Sequence, residues 1–262
     1  MRSLVRRVVS LLLCGWVGAA AAGDAPKLAL ILDDLGEQRV AGERALRLPA
    51  SVALSYLPAS PHTAAQAARG AANGHEILLH LPLQAEDPRA TDARALSVTA
   101  TPARIARTLG VAMAQLPQAV GVNNHQGSRF TADFGAVDAL MRALASLPGT
   151  PYFIDSRTTA ATRAFARARA LGIPAAERHV FIDAQRGEAA VRQGWQRWLA
   201  HARREGRALA IAHPYPETLA LLEAELPRLR AQGYKLVPPS ELLEGRGALS
   251  ARATSSMHPE PR

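Results

Sequence analysis

Two adjacent carboxylates, Asp33 and Asp34, close an apolar run from Leu28 to Leu32. Charges placed there need cationic partners to be tolerated. Neighbouring side chains on an extended chain point in different directions, so the pair can divide its work: one carboxylate binds a cation and the other accepts a proton. Four further apolar runs end in polar residues of the same useful kind. Ile77 to Leu79 runs into His80, Val120 to Val122 into Asn123, Asn124 and His125, Phe153-Ile154 into Asp155 and Ser156, and Ile211-Ala212 into His213. His80 and His125 with one carboxylate make an O,N,N face with open positions, a donor set suited to Zn²⁺ or a similar divalent ion. Taken singly, each such residue is ordinary. Asp, Asn and Ser at strand ends commonly cap the next helix, the role open to Ser156 and to Asp183 after Phe181-Ile182, and an isolated histidine is usually structural. Convergence of five strand ends on one mouth is what turns them into a site.

The elements that must produce this convergence are readable. Eight short apolar runs, Leu28 to Leu32, Val52 to Leu57, Glu76 to Leu81, Ala119 to Val122, Tyr152 to Ile154, His179 to Ile182, Ala208 to Ala212 and Lys235 to Val237, alternate with Ala-rich helical stretches. Such alternation implies βα units on a mostly parallel sheet, and eight units are the number that closes a (β/α) barrel, whose active site lies at the C-terminal strand ends. Helices open at Ser60-Pro61-His62-Thr63 and at Thr101-Pro102, where Thr caps and Pro fills the first turn, and a third runs from Glu217 to Gln232 before Gly233. The fold class is α/β, a distorted barrel of mostly parallel strands.

The 262 residues suit one such domain. Arg2, Arg6 and Arg7, the apolar run from Val8 to Val17 and Ala20-Ala21-Ala22 form the pattern of a signal peptide. Residues 1–22 are therefore expected to be removed, leaving a barrel domain over 23–246, no stable membrane span and a disordered tail over 247–262. This predicts a periplasmic or secreted protein. Cys14, the single cysteine, falls in the leader, so metal ligands must come from His, Asp, Glu or Asn. The formal charge of +9 falls by three to +6 without the leader. A basic surface favours an anionic envelope polymer, while the lack of aromatic-interleaved basic patches argues against nucleic acid.

Gly74-His75-Glu76-Ile77-Leu78-Leu79-His80 resembles the second motif of NodB-type polysaccharide deacetylases, which leads to a metal-ligating histidine. Leu32-Asp33-Asp34 resembles their first motif, and Ile211-Ala212-His213-Pro214 stands where their last motif supplies a histidine to the leaving group. Two features depart from that pattern: the usual second histidine, four residues after the first, is Gln84, and the Arg-Pro-Pro-Tyr-like run is replaced by Phe153 to Thr158. With Asn123 to Ser128 and Ala212 to Pro216, these departures resemble the divergent polysaccharide deacetylase family, from about Lys27 to Leu243. The resemblance implies a distorted (β/α) barrel, Asp33 as general base, a divalent metal, zinc foremost, on Asp34, His80 and His125, and His213 as general acid. It implies an N-acetylated envelope polysaccharide or a peptidoglycan-type glycan as substrate. Asn123 and Asn124 either orient substrate or shape their loop. Asp155 and Arg157 are further candidate substrate contacts, Arg157 equally an internal ion-pair partner. The rival expectation is a non-catalytic glycan-binding or envelope-scaffold protein that kept the barrel; a third is a hydrolase of another bond, such as an ester.

Overall fold

A computed structural model describes residues 24–244. The expected leader, at 1–22, and tail, at 247–262, lie outside the described residues. The chain runs β1 (Lys27–Leu35), α1 (Arg39–Ala45), β2 (Ala53–Tyr56), α2 (Thr63–Ala72), β3 (Ile77–Leu83), α3 (Pro102–Ala114), β4 (Ala119–Gln126), α4 (Phe134–Ala145), β5 (Tyr152–Asp155) and α5 (Ala164–Ala170). It continues through β6 (Ala175–Glu177), β7 (Val180–Phe181), α6 (Glu188–Glu205), β8 (Arg207–Ala212), α7 (Pro216–Glu225) and β9 (Lys235–Leu236). The strands form one sheet in the order β6-β5-β4-β3-β2-β1-β8-β7, every pair parallel.

The two ends of that path, β6 and β7, are consecutive in the chain. Between them the Arg178 N–H donates to Asp155 O at the end of β5, and the His179 N–H donates to Leu209 O of β8. One kinked segment thus bridges the sheet's two edges and curls it into a distorted barrel. The path holds eight strands, the number expected, but not the eight runs read from the sequence: β6 takes the place of the Lys235 to Val237 run. β9 lies beside the start of β1, pairing Lys27 and Leu28, while β2 takes the remainder of the same edge from Ile31 onward. The three-residue β6, Ala-Ala-Glu, escapes a count based on apolar runs because alanine carries little strand signal.

Burial follows the period of two expected of strands. On the outward side Leu28, Leu30, Leu32, Leu54, Ile77, Leu79 and Val122 pack with the helices in one cluster, while Ala29, Ile31, Ala53, Leu78, Tyr152, Ile154, Leu209 and Ile211 fill the barrel interior in another. Covered on both faces, β1, β2 and β3 read as near-continuous apolar runs. Gly121 is required by this interior: a Cβ there would stand 2.5 Å from the Tyr152 ring.

Among the described residues, α3 and α4 carry side-chain caps. Thr101 Oγ1 accepts from the Arg104 N–H ahead of Pro102, and Asp133 Oδ1 accepts from the Ala136 N–H to open α4. The helix expected over Glu217 to Gln232 is shorter. α7 ends at Glu225, and a 3₁₀ turn, Leu226–Arg228, follows. Pro227 has no N–H to continue the ladder and crowds the carbonyl four residues before it.

Candidate active site

The alternation that fills the barrel below also arms its mouth. Two residues beyond Ile31 is Asp33, beyond Leu78 is His80, beyond Gly121 is Asn123 and then His125, and beyond Ile211 is His213. These strands run further than the apolar residues suggest: β1 to Leu35, β3 to Leu83 and β4 to Gln126. Asp33, Asp34, His80, Asn123 and His125 are therefore held by the sheet itself and not by loops. Asp34 is out of phase and by alternation alone would face the helices. A register shift between Leu32 and Leu35 and a left-handed backbone at Asp34, φ 55°, turn its carboxylate toward the same centre.

Asp34 Oδ1 lies 2.8 Å from His125 Nδ1 and 3.2 Å from His80 Nε2, and the two nitrogens are 3.2 Å apart. Asp34 Oδ1 is buried, yet no hydrogen bond of good geometry satisfies it. Three donors about 2.1 Å from one ion stand about 3.0 Å apart at right angles and about 3.4 Å apart at tetrahedral angles, so this triangle fits a single small divalent ion. Among the described residues, Asp34, His80 and His125 are the group of His and acidic side chains that could hold a metal.

Asn123 organises the centre. Fully buried, it donates from Nδ2 to both oxygens of Asp33, at 2.9 and 3.1 Å, and its Oδ1 accepts from Ser55 Oγ at 2.6 Å. His80 Nδ1 is 3.0 Å from that same amide oxygen, which can only accept, so Nδ1 carries the hydrogen and Nε2 faces Asp34. Of the two roles open to Asn123, its polar atoms are committed to positioning Asp33 and His80. Asn124 is likewise engaged, donating to Gln126 O at 2.7 Å and accepting from the Ser156 N–H at 2.9 Å. Asp155 is fully buried and accepts from the Arg157 N–H, Thr162 Oγ1 and the Phe165 N–H, which tie down the β5–α5 connection. Arg157 forms an exposed ion pair with Glu177 at 3.1 Å. His75, buried at the approach to β3, has a structural place, with Nδ1 2.8 Å from Val52 O.

On the other wall, His213 Nδ1 is 3.0 Å from Asp183 Oδ1, its backbone N–H donates to Asp183 Oδ2, and its Nε2 stands 3.7 Å from Asp34 Oδ2. Thr218 Oγ1 also donates to Asp183. Asp183 is thus more than a helix cap: it holds His213 with Nε2 facing the centre. Gln84, in the place of the usual second histidine, accepts from Ser97 Oγ and the Val98 N–H and so anchors the β3–α3 connection. Sequence reasoning also missed Arg178. It follows Ala176 by two on the segment leaving β6, donates to Ser156 O and Arg157 O, and lines a pocket of about 170 Å³ with Asp33, His80, His125, Phe181 and His213. A second pocket, about 240 Å³, opens on the far side of Asp34 and His213 toward Gly36, Leu57, Arg94 and Tyr215.

The electrostatics divide the paired carboxylates. Burial pushes the Asp33 carboxyl up, against the opposing pull of His80, His213 and Asn123. Burial acts in the same direction on Asp34, but the His125 and His80 nitrogens outweigh it and hold that carboxyl far below its ordinary range. His80 is raised because Asp33 and Asp34 overcome its desolvation, and His213 is raised because Asp183 and the Asp34 and Asp33 carboxylates do the same. One carboxylate is a strong anion suited to a cation, and the other is suited to exchange a proton.

Barrel, motifs and site together define a polysaccharide deacetylase-like protein. The chain belongs to the divergent polysaccharide deacetylase family, which it matches over residues 30–243. It is 32% identical over 226 residues to the Escherichia coli K12 protein YibQ, covering 86% of this chain and 68% of that one. A Haemophilus influenzae protein is 31% identical over 203 residues, 78% of this chain and 72% of its own. The fold is shared with an Agrobacterium tumefaciens C58 crystal structure at TM-score 0.79 and 24% identity, covering 87% and 92% of the two chains. It is also shared with a mutant of a CE4 family pseudoenzyme with restored enzymatic activity, at TM-score 0.52 and 14% identity, covering 84% and 68%.

Proposed function

We propose that this protein is an exported, metal-dependent hydrolase that removes N-acetyl groups from an envelope glycan. The reading is carried by the triangle of Asp34 Oδ1, His80 Nε2 and His125 Nδ1, which offers three ligands to one ion and leaves its outward side open to both pockets. A zinc-type ion held there supplies electrophilic activation of the acetamide carbonyl and of the attacking water. Asp33, fixed by Asn123 and raised by burial, accepts the water's proton on its carboxylate. His213, oriented by Asp183 and raised in pKa, delivers a proton from Nε2 to the departing amine nitrogen. Family membership supports a glycan substrate, and the basic composition suits an anionic polymer of peptidoglycan type. The N-terminal pattern of Arg2 to Ala22 supports export to the periplasm or beyond, and no helix among the described residues is long and apolar enough to cross a membrane.

Gln84 favours a second reading, a glycan-binding or scaffold protein without turnover, because the usual ligand position is given to loop anchoring. Elemental analysis of the purified protein and of Asp34→Ala, His80→Ala and His125→Ala, followed by an acetate-release assay on N-acetylated glycans, separates the two. Near-stoichiometric metal in the wild type, lost in all three variants, with acetate released is the expected result. A wild type that stays metal-free after supplementation with divalent ions would sink the enzymatic reading.

A further inference from the structure

The two candidate ligand histidines are backed differently. Behind His80, the distal Nδ1 meets the neutral amide oxygen of Asn123. Behind His125, the distal Nε2 faces Asp92 Oδ2 at 3.9 Å, and among the described residues no other hydrogen-bond or ion-pair partner stands there. Asp92 comes from the connection between β3 and α3, the segment that begins at Gln84.

That connection is built to hold one carboxylate still. Its base is closed by the Gln84 N–H donating to Leu96 O and by the Gln84 side chain accepting from Ser97 and Val98. Over the site it is stitched to β4: Gln126 Oε1 accepts from the Asp92 N–H at 2.9 Å, and Gln126 Nε2 donates to Ala90 O at 2.6 Å. Arg94 grips the Asp92 carboxylate at both oxygens, 3.0 Å to Oδ1 from Nε and 2.8 Å to Oδ2 from Nη2. Its Nη1 ties the pair to Glu37, Pro58 O and Ser60. An anion clamped in this way is pre-set in direction, and a carboxylate behind a ligating histidine both orients the ring and raises its basicity as a ligand.

We propose that Asp92, clamped by Arg94, is a positioning residue that aims His125 at the ion, so that the residue replacing the usual histidine and the residue backing its substitute belong to one connection. The inference rests on the metal-site reading above. Gln84 no longer ligates; it shapes the connection that delivers Asp92 to His125. At 3.9 Å the coupling is electrostatic, between the Asp92 carboxylate and the Nε2–H of a neutral ligating ring, and not a direct hydrogen bond.

Calorimetric titration of the metal-stripped protein with Zn²⁺, for the wild type, Asp92→Asn, Arg94→Gln and the Asp34→Ala control, tests this, alongside thermal unfolding of each without metal. Asp92→Asn should weaken zinc binding by about 10-fold, the low end of what loss of a hydrogen-bonded backing group costs. Arg94→Gln should weaken it in the same direction by less, and the metal-free unfolding midpoint of Asp92→Asn should stay near that of the wild type. Wild-type affinity in Asp92→Asn, with Asp34→Ala losing zinc, would overturn the role of Asp92 while leaving the metal site standing. An affinity loss matched by a lowered metal-free midpoint would reduce Asp92 to a loop anchor and overturn it too. A folded wild type that takes up no zinc would remove the metal-site reading itself, and the role of Asp92 with it.

Discussion

The lower and upper halves of the barrel interior are built from the same rows of inward-pointing residues, yet they do opposite things. In the lower half the rows hold Ala29, Ile31, Leu78, Ile154, Leu209 and Ile211, an apolar plug whose one polar reach is the Tyr152 hydroxyl donating to Glu76. One step up the same strands, the rows hold the buried polar residues Asp33, His80 and Asn123, with partly buried His213 just beyond the end of β8. What makes the upper half tolerable is mutual satisfaction. Asn123 spends its amide on Asp33, His80 and Ser55, Asp183 spends its carboxylate on His213 and Thr218, and the charges of opposite sign offset one another's desolvation. The plug lends rigidity to the polar residues that stand directly above it.

Breaking the upper half should alter chemistry without unfolding the protein. Asp33→Asn removes the proposed proton acceptor but keeps a shape that Asn123 can still contact, so acetate release should fall by about 10²- to 10⁴-fold with metal content near that of the wild type. Retained turnover in steady-state assays would take the base away from Asp33. Breaking the lower half should do the reverse. Ile211→Ala opens a cavity beneath His213 and should cost about 2–5 kcal/mol of stability by denaturant unfolding, with zinc affinity of the folded protein little changed. A large affinity loss in that variant would mean that the halves are less separable than their packing suggests.

The smallest expected effect is a pH dependence. His213 has a folded-state pKa raised by Asp183, so its contribution to stability is fully present below the ordinary histidine value near 6.5 and is lost as pH rises through the higher folded value. Asp183→Asn should flatten this part of the stability curve, from about pH 6.5 upward. In metal-free protein, thermal unfolding across that range would show it, and a variant curve parallel to the wild type would refute the coupling.

Much of the site is legible in the amino-acid sequence. His80, His125 and His213 can be read because each follows an apolar run whose alternation points it inward, and the short span of every run limits where its end can lie. Asp92 is not legible. It lies in a connection with no periodic signal, and it reaches His125 only through contacts with Gln126 and Arg94, residues far from it in pattern if not in sequence. Asp183 is visible as a strand-end acid but indistinguishable from a helix cap until the fold sets His213 against it. Arg178 is hidden by the weak alanine strand that leads into it.

By itself the sequence determined the parallel α/β architecture, the inward rows of the barrel and the residue types gathered at its mouth, because hydrophobic periodicity and helix caps are local. The tertiary structure alone decided how the barrel closes, through the kink between β6 and β7, and where Asp34 points. Alternation would send that carboxylate to the helix side. It is the shifted pairing with β2 and the left-handed turn at Asp34 that bring it to His80 and His125, and a register shift is a property of two strands together, which neither strand's residues can specify alone.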